Sequence, residues 1–344
     1  MNVSITYMSR KASVVHGGDP KAAEARFGVP KDGWLDLSTG INPLPYPAGE
    51  IPSEMFARLP LKAELDGLLE AARKAYSIPD EAAIVASPGT QALIQMVPRL
   101  FSPSNVTVMG PTYGEHAPAW EAAGHTVQDV GSICAQAAQP APFGVVVHPN
   151  NPNGRTQTVE GLVAFAEELH DRGGILVVDE AFADVTPEVS VTPHAGCQGL
   201  VVLRSFGKFF GLAGLRLGFA VTTPDIAERL AEKLGPWAVS GPALWVGALA
   251  LSDRAWIAGM RSSLKLDALR LDGLLEDAAM HVIGGTDLFR LVETPDAQDI
   301  YEKLGRSGIL VRPFDYNANW LRFGLPGPKA DWVRLEKALA QISV

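Results

Sequence analysis

The most informative stretch of the sequence is Arg204-Ser205-Phe206-Gly207-Lys208-Phe209-Phe210-Gly211-Leu212-Ala213-Gly214-Leu215-Arg216-Leu217-Gly218. It begins in an apolar β-branched run at residues 201–204, which is typical of a strand buried on both faces. Lys208 stands among phenylalanine and glycine residues, although most lysines are simply solvated surface charges. Burial in such surroundings would lower the pKa of its amine and favour a Schiff base with a carbonyl compound.

Short apolar runs alternate with helical stretches on both sides of this segment. Candidate strands lie at residues 83–86, 106–109, 126–130, 145–148, 175–179, 201–204 and 217–221. This alternation predicts a largely parallel sheet covered by helices.

The pattern changes near residue 236. A long helical region is predicted at 243–279, short strands at 288–292, 309–311 and 320–323, and a final helix at 329–342. We therefore predict an N-terminal arm at 1–45, a large domain at 46–235 and a small α+β domain at 236–344.

Composition excludes several classes of protein. The net charge of −9 argues against nucleic acid as a partner, because phosphate backbones require clustered Lys and Arg. No apolar run approaches the ~18 residues of a membrane span, and the first residues do not resemble a secretory signal. Cys134 and Cys197 form neither a disulfide framework nor a metal-ligand pattern. We expect a cytoplasmic protein that binds no metal.

Polar residues follow several predicted strands, where open α/β sheets bind their ligands. Gly89 and Thr90 open a helix and could present backbone N–H groups to a phosphate, although taken alone they fit an ordinary capped helix better. Asn151 lies in a turn-forming Asn-Pro-Asn-Gly segment. Asp179 ends a buried strand, where it is either a helix N-cap or the partner of a cationic ligand atom.

In this order, the segments resemble the fold-type I pyridoxal-phosphate enzymes, the aspartate-aminotransferase superfamily, over nearly the whole chain. The resemblance implies a mostly parallel, seven-stranded central sheet with a small C-terminal α+β domain. It implies pyridoxal 5′-phosphate as the cofactor. It also implies a homodimer, since superfamily members usually place their active sites at the subunit interface.

The same resemblance implies roles for individual residues around the cofactor ring. Lys208 binds the cofactor covalently and later shuttles protons, and Asp179 pairs with the pyridinium nitrogen. Asn151 hydrogen-bonds the 3′-oxygen, and Tyr113 stacks on the ring.

Further roles concern the charged groups of cofactor and substrate. Arg322 clamps the α-carboxylate of an amino-acid substrate. Four residues hold the cofactor phosphate: Gly89, Thr90, Ser205 and Arg216.

Two positions depart from the superfamily pattern. Phe182 stands three residues after the aspartate, where many relatives have a tyrosine whose hydroxyl reaches the 3′-oxygen. Leu59 stands where relatives often have a tyrosine that reaches the neighbouring subunit's cofactor phosphate. Tyr46 or another residue would have to replace that contact.

The N-terminal segment narrows the resemblance. His16-Gly17-Gly18-Asp19 and Ile41-Asn42-Pro43-Leu44 resemble the threonine-phosphate decarboxylases of cobalamin synthesis, and phenylalanine at 182 is usual in that group. The resemblance places His16, Gly17 and Asn42 at the substrate.

Two arginines near the C-terminus suit a substrate with two anionic ends. Arg312 precedes Arg322 by ten residues and would hold a phosphate, although a surface salt bridge is the alternative for Arg312. The implied reaction converts L-threonine O-3-phosphate to (R)-1-aminopropan-2-yl phosphate and carbon dioxide.

Three other functions remain open at this stage. Histidinol-phosphate aminotransferase is the nearest, because it uses the same cofactor and a phosphorylated amine. A non-catalytic pyridoxal-phosphate protein is the second. A nicotinamide-dependent dehydrogenase is disfavoured, because no G-x-G-x-x-G follows an early strand.

Overall fold

A computed structural model of the protein describes residues 17–342. His16, which was predicted to contact substrate, lies outside these residues. The strands in chain order are β1 (Leu35–Asp36), β2 (Ala83–Ser87), β3 (Asn105–Met109), β4 (Thr126–Val130), β5 (Phe143–Val147), β6 (Ile175–Asp179), β7 (Leu200–Ser205), β8 (Gly218–Thr222), β9 (His281–Thr286), β10 (Phe289–Glu293), β11 (Ile309–Leu310), β12 (Arg312–Phe314) and β13 (Asn317–Gly324).

The α-helices alternate with these strands. They are α1 (Pro20–Phe27), α2 (Glu54–Ala57), α3 (Lys62–Ala75), α4 (Thr90–Met96), α5 (His116–Ala122), α6 (Ile133–Ala137), α7 (Val159–Asp171), α8 (Phe206–Phe209), α9 (Pro224–Leu234), α10 (Gly241–Ser252), α11 (Arg254–Asp277), α12 (Ala297–Arg306) and α13 (Lys329–Ala340). Short 3₁₀ turns lie at Val97–Leu100, Ala183–Val185, Pro187–Val189, Thr192–His194 and Ala213–Leu215.

Seven strands form the central sheet in the order β2-β8-β7-β6-β5-β3-β4. All neighbours pair in parallel except at β8, which is antiparallel to both β2 and β7. The predicted fold class is therefore confirmed. The seven predicted strands of this sheet are present, with ends that differ by at most two residues.

The sheet is buried on both faces because its strands carry apolar side chains in both directions. Along β6, Leu176 and Val178 join one apolar core, whereas Ile175 and Val177 join the other. Helices cover both faces. The carboxyl ends of the parallel strands consequently form an edge where polar side chains remain accessible.

A second, four-stranded antiparallel sheet has the order β12-β13-β10-β9. The sequence predicted β10, β11 and part of β13 but neither β9 nor β12. The chain before the large sheet packs here: β1 pairs in parallel with β11, and Leu37 O accepts a hydrogen bond from Gly324 N at 2.7 Å. The domain limits remain a prediction. No helix between residues 17 and 342 is both long and apolar enough to cross a membrane.

Candidate active site

A cavity of about 300 Å³ lies where the carboxyl ends of β2, β6 and β7 meet the β12–β13 hairpin and the segment after β1. Sequence-predicted residues that line it are Gly17, Gly89, Thr90, Tyr113, Asn151, Asp179, Ser205, Lys208, Arg216, Arg312 and Arg322. Residues scattered over 300 positions are thus brought to one place by the two sheets. Their individual roles remain predictions.

Lys208 lies on α8, directly after β7, and opens onto the cavity. Its ammonium nitrogen lies 5.7 Å from the ring centroid of Phe182. Removal from water, reinforced by the positive charges of Arg322 and Arg216, lowers the pKa of Lys208 to about 8, although Asp179 acts in the opposite direction. About a tenth of this amine is therefore unprotonated and nucleophilic at pH 7, far more than for an ordinary lysine.

Asp179 ends β6 and is buried. One carboxylate oxygen, Oδ1, accepts a hydrogen bond from Ala181 N at 3.0 Å, and the other, Oδ2, lies 2.9 Å from Nε2 of His116. His116 is itself buried, on the first turn of α5. A carboxylate held at both oxygens has a fixed direction and can pair with a cationic ring atom in the cavity.

A small-residue cradle lies at the start of α4. Gly89 adopts φ +84°, and a Cβ there would lie 2.7 Å from Nη2 of Arg216. A Cβ on Gly218 would lie 2.5 Å from the backbone nitrogen of Thr90. Arg216 itself adopts the left-handed conformation, with φ 53°. The backbone thus brings the Arg216 guanidinium and the first turn of α4 together, which is an arrangement that suits a phosphate.

Tyr113 and Asn151 lie on loops that are tied together, because Thr112 Oγ1 donates to Asn150 Oδ1 at 2.6 Å. The Tyr113 hydroxyl donates to Gln91 Oε1 at 3.2 Å. Burial raises the pKa of Tyr113 to about 12, so its ring stays neutral. The tyrosine therefore presents a held aromatic ring to the cavity.

Arg322 is a buried arginine without an acidic partner among residues 17–342. Its Nη2 donates to Ser38 O at 2.8 Å, its Nη1 donates to Asn151 Oδ1, and its Nε has no partner within that range. Burial lowers the pKa of Arg322 to about 10, and the charge of Arg312 contributes. A buried cation held only by neutral groups is costly, and a bound anion would offset that cost.

Arg312 is half-buried on β12 and is the register partner of Arg322 on β13, so both side chains lie on the same face of the hairpin. Within the described part of the chain it forms no salt bridge, and its guanidinium carbon lies 5.9 Å from the Phe314 ring centroid. The surface salt bridge that was the alternative for this residue is thus not found there. Burial lowers the pKa of Arg312.

The surroundings of Phe182 are apolar, which suits phenylalanine at a position where many relatives have tyrosine. Its ring meets Phe289 edge-on, with centroids 5.0 Å apart. A Cβ on Gly40 would lie 2.9 Å from Phe182 and 2.8 Å from Phe289. The ring thus fills an apolar slot beside Lys208, and Gly40 leaves room for it.

Asn42 does not line the cavity, contrary to the prediction that it contacts substrate. Its Nδ2 donates to Phe209 O at 2.8 Å, and its Oδ1 accepts from Leu44 N at 2.9 Å. Its backbone N–H donates to Lys208 O at 2.9 Å. Both ends of the amide are engaged with backbone, so Asn42 holds the segment that carries Lys208. Tyr46, proposed to replace the missing cross-subunit tyrosine, lies 3.5 Å from Asp253 Oδ2 through its hydroxyl.

Sequence reasoning missed several residues of the site. Ser38, Gln91 and Tyr316 line the cavity, and His116 supports Asp179 behind it. His116 is the first residue of α5, three residues after Tyr113, so its nearness to the site could have been inferred from that short sequence separation. Tyr316 carried no comparable signal, because its position depends on how a distant hairpin folds.

These observations define a class of protein. A lysine with a lowered pKa, a fixed carboxylate, an aromatic ring and an arginine cradle meet at the strand ends of a seven-stranded α/β sheet, as in fold-type I pyridoxal-phosphate enzymes. A family model described as aminotransferase class I and II matches residues 61–341. The chain belongs to the aminotransferase class I and II family.

Individual relatives are similar over nearly their whole length. A threonine-phosphate decarboxylase from Sinorhizobium sp is 45% identical over 337 residues, which cover 97% of this chain and 99% of the relative. A threonine-phosphate decarboxylase from Pseudomonas aeruginosa is 43% identical over 330 residues, covering 94% and 96%. The crystal structure of histidinol-phosphate aminotransferase from Sinorhizobium meliloti in complex with pyridoxal-5′-phosphate has a TM-score of 0.80 and 20% identity, covers 99% of each chain, and bears on the fold alone.

The residues present fit pyridoxal phosphate on chemical grounds. The group has an aldehyde, a basic ring nitrogen and a phosphate. The cavity offers an amine of lowered pKa in Lys208, a fixed carboxylate in Asp179 and the cradle built from Gly89 and Arg216. Each chemical feature of the cofactor therefore has a matching partner.

Proposed function

We propose that the protein is a pyridoxal-phosphate-dependent decarboxylase that converts L-threonine O-3-phosphate to (R)-1-aminopropan-2-yl phosphate and carbon dioxide. The observation that carries this proposal is the pair Arg312 and Arg322, two cavity cations without acidic partners among residues 17–342. A substrate with two anionic ends would satisfy both. The names of the two decarboxylase relatives support the same reaction.

In this proposal the chain's own residues hold the cofactor at four points. Lys208 attaches to it, Asp179 keeps its ring nitrogen protonated, and Tyr113 covers one ring face. Arg216, with Gly89, Thr90 and Ser205, holds its phosphate. Asn151 faces the 3′-oxygen through its side-chain amide. When bound, the cofactor supplies an electron sink that stabilises negative charge at the substrate Cα.

Orientation of the substrate decides which bond breaks. Arg322 is anchored through Ser38 and Asn151, so a carboxylate on its free edge has a fixed direction. Arg312 holds the phosphate at the other end, and Gly17 lines the same cavity. Two fixed ends prevent rotation of the substrate about its long axis, which keeps the carboxylate bond in the reactive direction.

Protonation then determines the product. A decarboxylase must return a proton to Cα, whereas an aminotransferase protonates the cofactor instead. Lys208, whose pKa is about 8, can hold this proton near neutral pH and deliver it to Cα. The amine is then regenerated for the next turnover.

A homodimer is the assembly we propose. Large apolar side chains are exposed on neighbouring elements, and Leu61 and Trp237 line a second, apolar cavity of about 330 Å³. The others lie on or near α2 and α10, namely Phe56, Leu59, Trp245 and Leu249. Exposed apolar surface of this extent is typical of a protein interface. A second copy of this chain would cover it.

We also propose that the protein acts in the cytoplasm in cobalamin synthesis. Two free cysteines, Cys134 and Cys197, are at least partly accessible, which suits a reducing compartment. The product of the proposed reaction is the aminopropanol phosphate from which the cobalamin nucleotide linker is made.

Direct assay tests the reaction. Purified protein loaded with pyridoxal phosphate is incubated with threonine phosphate, without any 2-oxo acid. We expect release of carbon dioxide in step with aminopropanol phosphate. Turnover of histidinol phosphate with 2-oxoglutarate, and none of threonine phosphate, would overturn the proposal in favour of an aminotransferase.

A further inference from the structure

The β12–β13 hairpin brings two residues into the cavity that no prediction used, Phe314 and Tyr316. The strands pair as Arg312 with Arg322 and Phe314 with Asn317, with a register shift between Pro313 and Phe314. Tyr316 lies in the turn that joins them. It nevertheless lines the cavity, together with Arg312 and Arg322. The turn is thus part of the cavity wall, although it is far from Lys208 in sequence.

Aromatic packing holds this turn in place. The Tyr316 ring lies 5.4 Å from Phe314 and 6.2 Å from Trp320, the latter edge-on at 84°. Phe314 and Trp320 also contact each other at 6.3 Å. Trp320 is anchored further, because its indole N–H donates to Glu293 Oε1 at 3.2 Å. Three rings that pack against one another give the tyrosine a defined position, while the residue stays 56% exposed.

The Tyr316 hydroxyl has no hydrogen-bond partner among residues 17–342 in the structure. Burial raises the pKa of this phenol to about 12, while the charges of Arg322 and Arg312 act to lower it. The hydroxyl therefore stays protonated at neutral pH and can donate. Two cations lie close enough to influence it, so an anion bound between them would lie within its reach.

The surroundings of the two arginines indicate which anion the Tyr316 hydroxyl would contact. Arg322 is held by Ser38 and Asn151 on the inner side of the hairpin, as a carboxylate clamp requires. Arg312 has neither an acidic side chain nor a fixed hydrogen-bond partner in the described range. A tetrahedral phosphate has more acceptor positions than one guanidinium can fill, so it needs a second donor.

We propose that the Tyr316 hydroxyl donates a hydrogen bond to the distal phosphate of the substrate, beside Arg312, and so selects phosphorylated amino acids. This inference rests on the proposed function, since it assigns part of that substrate's binding site. Tyr316 is then a specificity-determining residue, which contributes to binding and leaves bond cleavage to the groups around Lys208.

The test compares Tyr316→Phe with Tyr76→Phe, both in the cofactor-loaded enzyme. Tyr76→Phe loses the same hydroxyl from the apolar core, where the Tyr76 ring meets Phe219 outside the cavity. For threonine phosphate, we expect Tyr316→Phe to raise KM about tenfold and leave kcat within about twofold, because a lost hydrogen bond to a charged group acts on ground state and transition state alike. Tyr76→Phe should leave both constants unchanged.

Inorganic phosphate, used as a competitive inhibitor, reports on the same donor without the amino-acid part. Its inhibition constant should rise about tenfold in Tyr316→Phe and stay constant in Tyr76→Phe. An unchanged KM and an unchanged inhibition constant would overturn the inference. An equal loss with unphosphorylated threonine, as substrate or as competing ligand, would also overturn it by assigning Tyr316 to the carboxylate.

Failure of the proposed function would look different. Wild-type enzyme would then release no carbon dioxide from threonine phosphate, whatever stands at position 316. The phosphate-binding role of Tyr316 is then tested by measuring KM for the phosphorylated amine that the wild type does turn over, in the same two variants. A tenfold rise in its KM in Tyr316→Phe alone supports the inference, and equal KM values contradict it.

Discussion

At the scale of the residue, burial without a matching charge is what makes the site reactive. Lys208 loses water and gains two cationic neighbours, so its amine becomes a base of moderate strength. Arg322 loses water and gains only neutral partners, so it attracts an anion. Burial of both groups is costly, and anionic ligands together with a carbonyl group would offset that cost.

The pH dependence of cofactor attachment follows from the lowered pKa of Lys208. Because only the free amine attacks a carbonyl carbon, the attachment rate should rise as pH increases through about 8, whereas an ordinary lysine would require pH above 10. Rapid-mixing absorbance of the apoprotein with pyridoxal phosphate, between pH 6 and pH 10, measures this. Lys208→Ala should give no covalent product at any pH. A midpoint near 10 in the wild type would contradict the shift.

His116 should matter through Asp179. His116→Ala leaves Asp179 Oδ2 buried without its partner, which should lower the free energy of unfolding by about 1–3 kcal/mol and weaken cofactor binding. His125→Ala is a matched control, since His125 is also buried and contacts Ser104 N and Pro98 O away from the cavity. Urea denaturation and cofactor titration of both variants separate the two effects. Equal cofactor affinity in both would show that His116 is only a structural residue.

Site residues that lie close together in the sequence could be predicted, whereas those that lie far apart could not. Lys208, Ser205 and Arg216 share one strand-turn-strand segment, so their spacing carried the information. Asn42 was assigned to substrate from its motif, yet both ends of its amide are engaged with backbone, which only three-dimensional contacts reveal. Tyr316 could not be found, because the ring packing that turns it toward the cavity is absent from any local pattern.

At the scale of the element, the strands of the central sheet were predictable, because a strand buried on both faces is an apolar run. β9 was not, because it includes Gly284 and Gly285 and begins with a histidine at an exposed edge. A Cβ at Gly284 would lie 2.2 Å from Asn153 O, so the glycine permits close backbone contact with the loop that carries Asn151. The glycines that make β9 hard to predict from sequence are therefore also the residues that allow the two sheets to approach.

The ends of β6 and β7 are joined by a buried ionic network. Arg204 donates to Glu180 Oε2 at 2.6 Å and to Asp184 Oδ1 at 2.7 Å, and its guanidinium carbon lies 4.2 Å from the Tyr76 ring centroid. Glu180 also accepts from Ser190 and from Val191 N, both at 2.6 Å. The network adjoins Asp179 and Ser205 in sequence, so it fixes the strand ends from which the cofactor residues project.

Removing Arg204 should destabilise the whole sheet edge. Arg204→Met leaves two buried acids unpaired, and we expect the free energy of unfolding to fall by about 3–5 kcal/mol. Lys74→Met is the control, since Lys74 pairs with Glu70 at 3.0 Å on an exposed helix face and should cost less than about 1 kcal/mol. Urea denaturation measures both. A loss in Arg204→Met no larger than that of the control would contradict the structural role assigned to the network.

At the scale of the whole molecule, association should depend on the apolar groove between α3 and the segment after α9. Trp237 is 59% exposed there, and Leu61 is 51% exposed. Covering such surface with a second copy removes it from water, at about 25 cal/mol per Å² of apolar area. Trp237→Glu would place a charge in that contact and should convert the dimer to a monomer at micromolar concentration, as measured by sedimentation equilibrium.

Val29→Glu distinguishes this contact from a general effect of added charge. Val29 is 77% exposed, lies outside the groove and should leave the dimer intact when changed. The same variants show whether activity depends on the proposed dimer, since Leu59 has no polar group to contribute to a neighbouring site. If Trp237→Glu becomes monomeric yet keeps its activity and cofactor affinity, each chain holds a complete site. If it stays dimeric, the groove is not the interface and another face of the molecule must be.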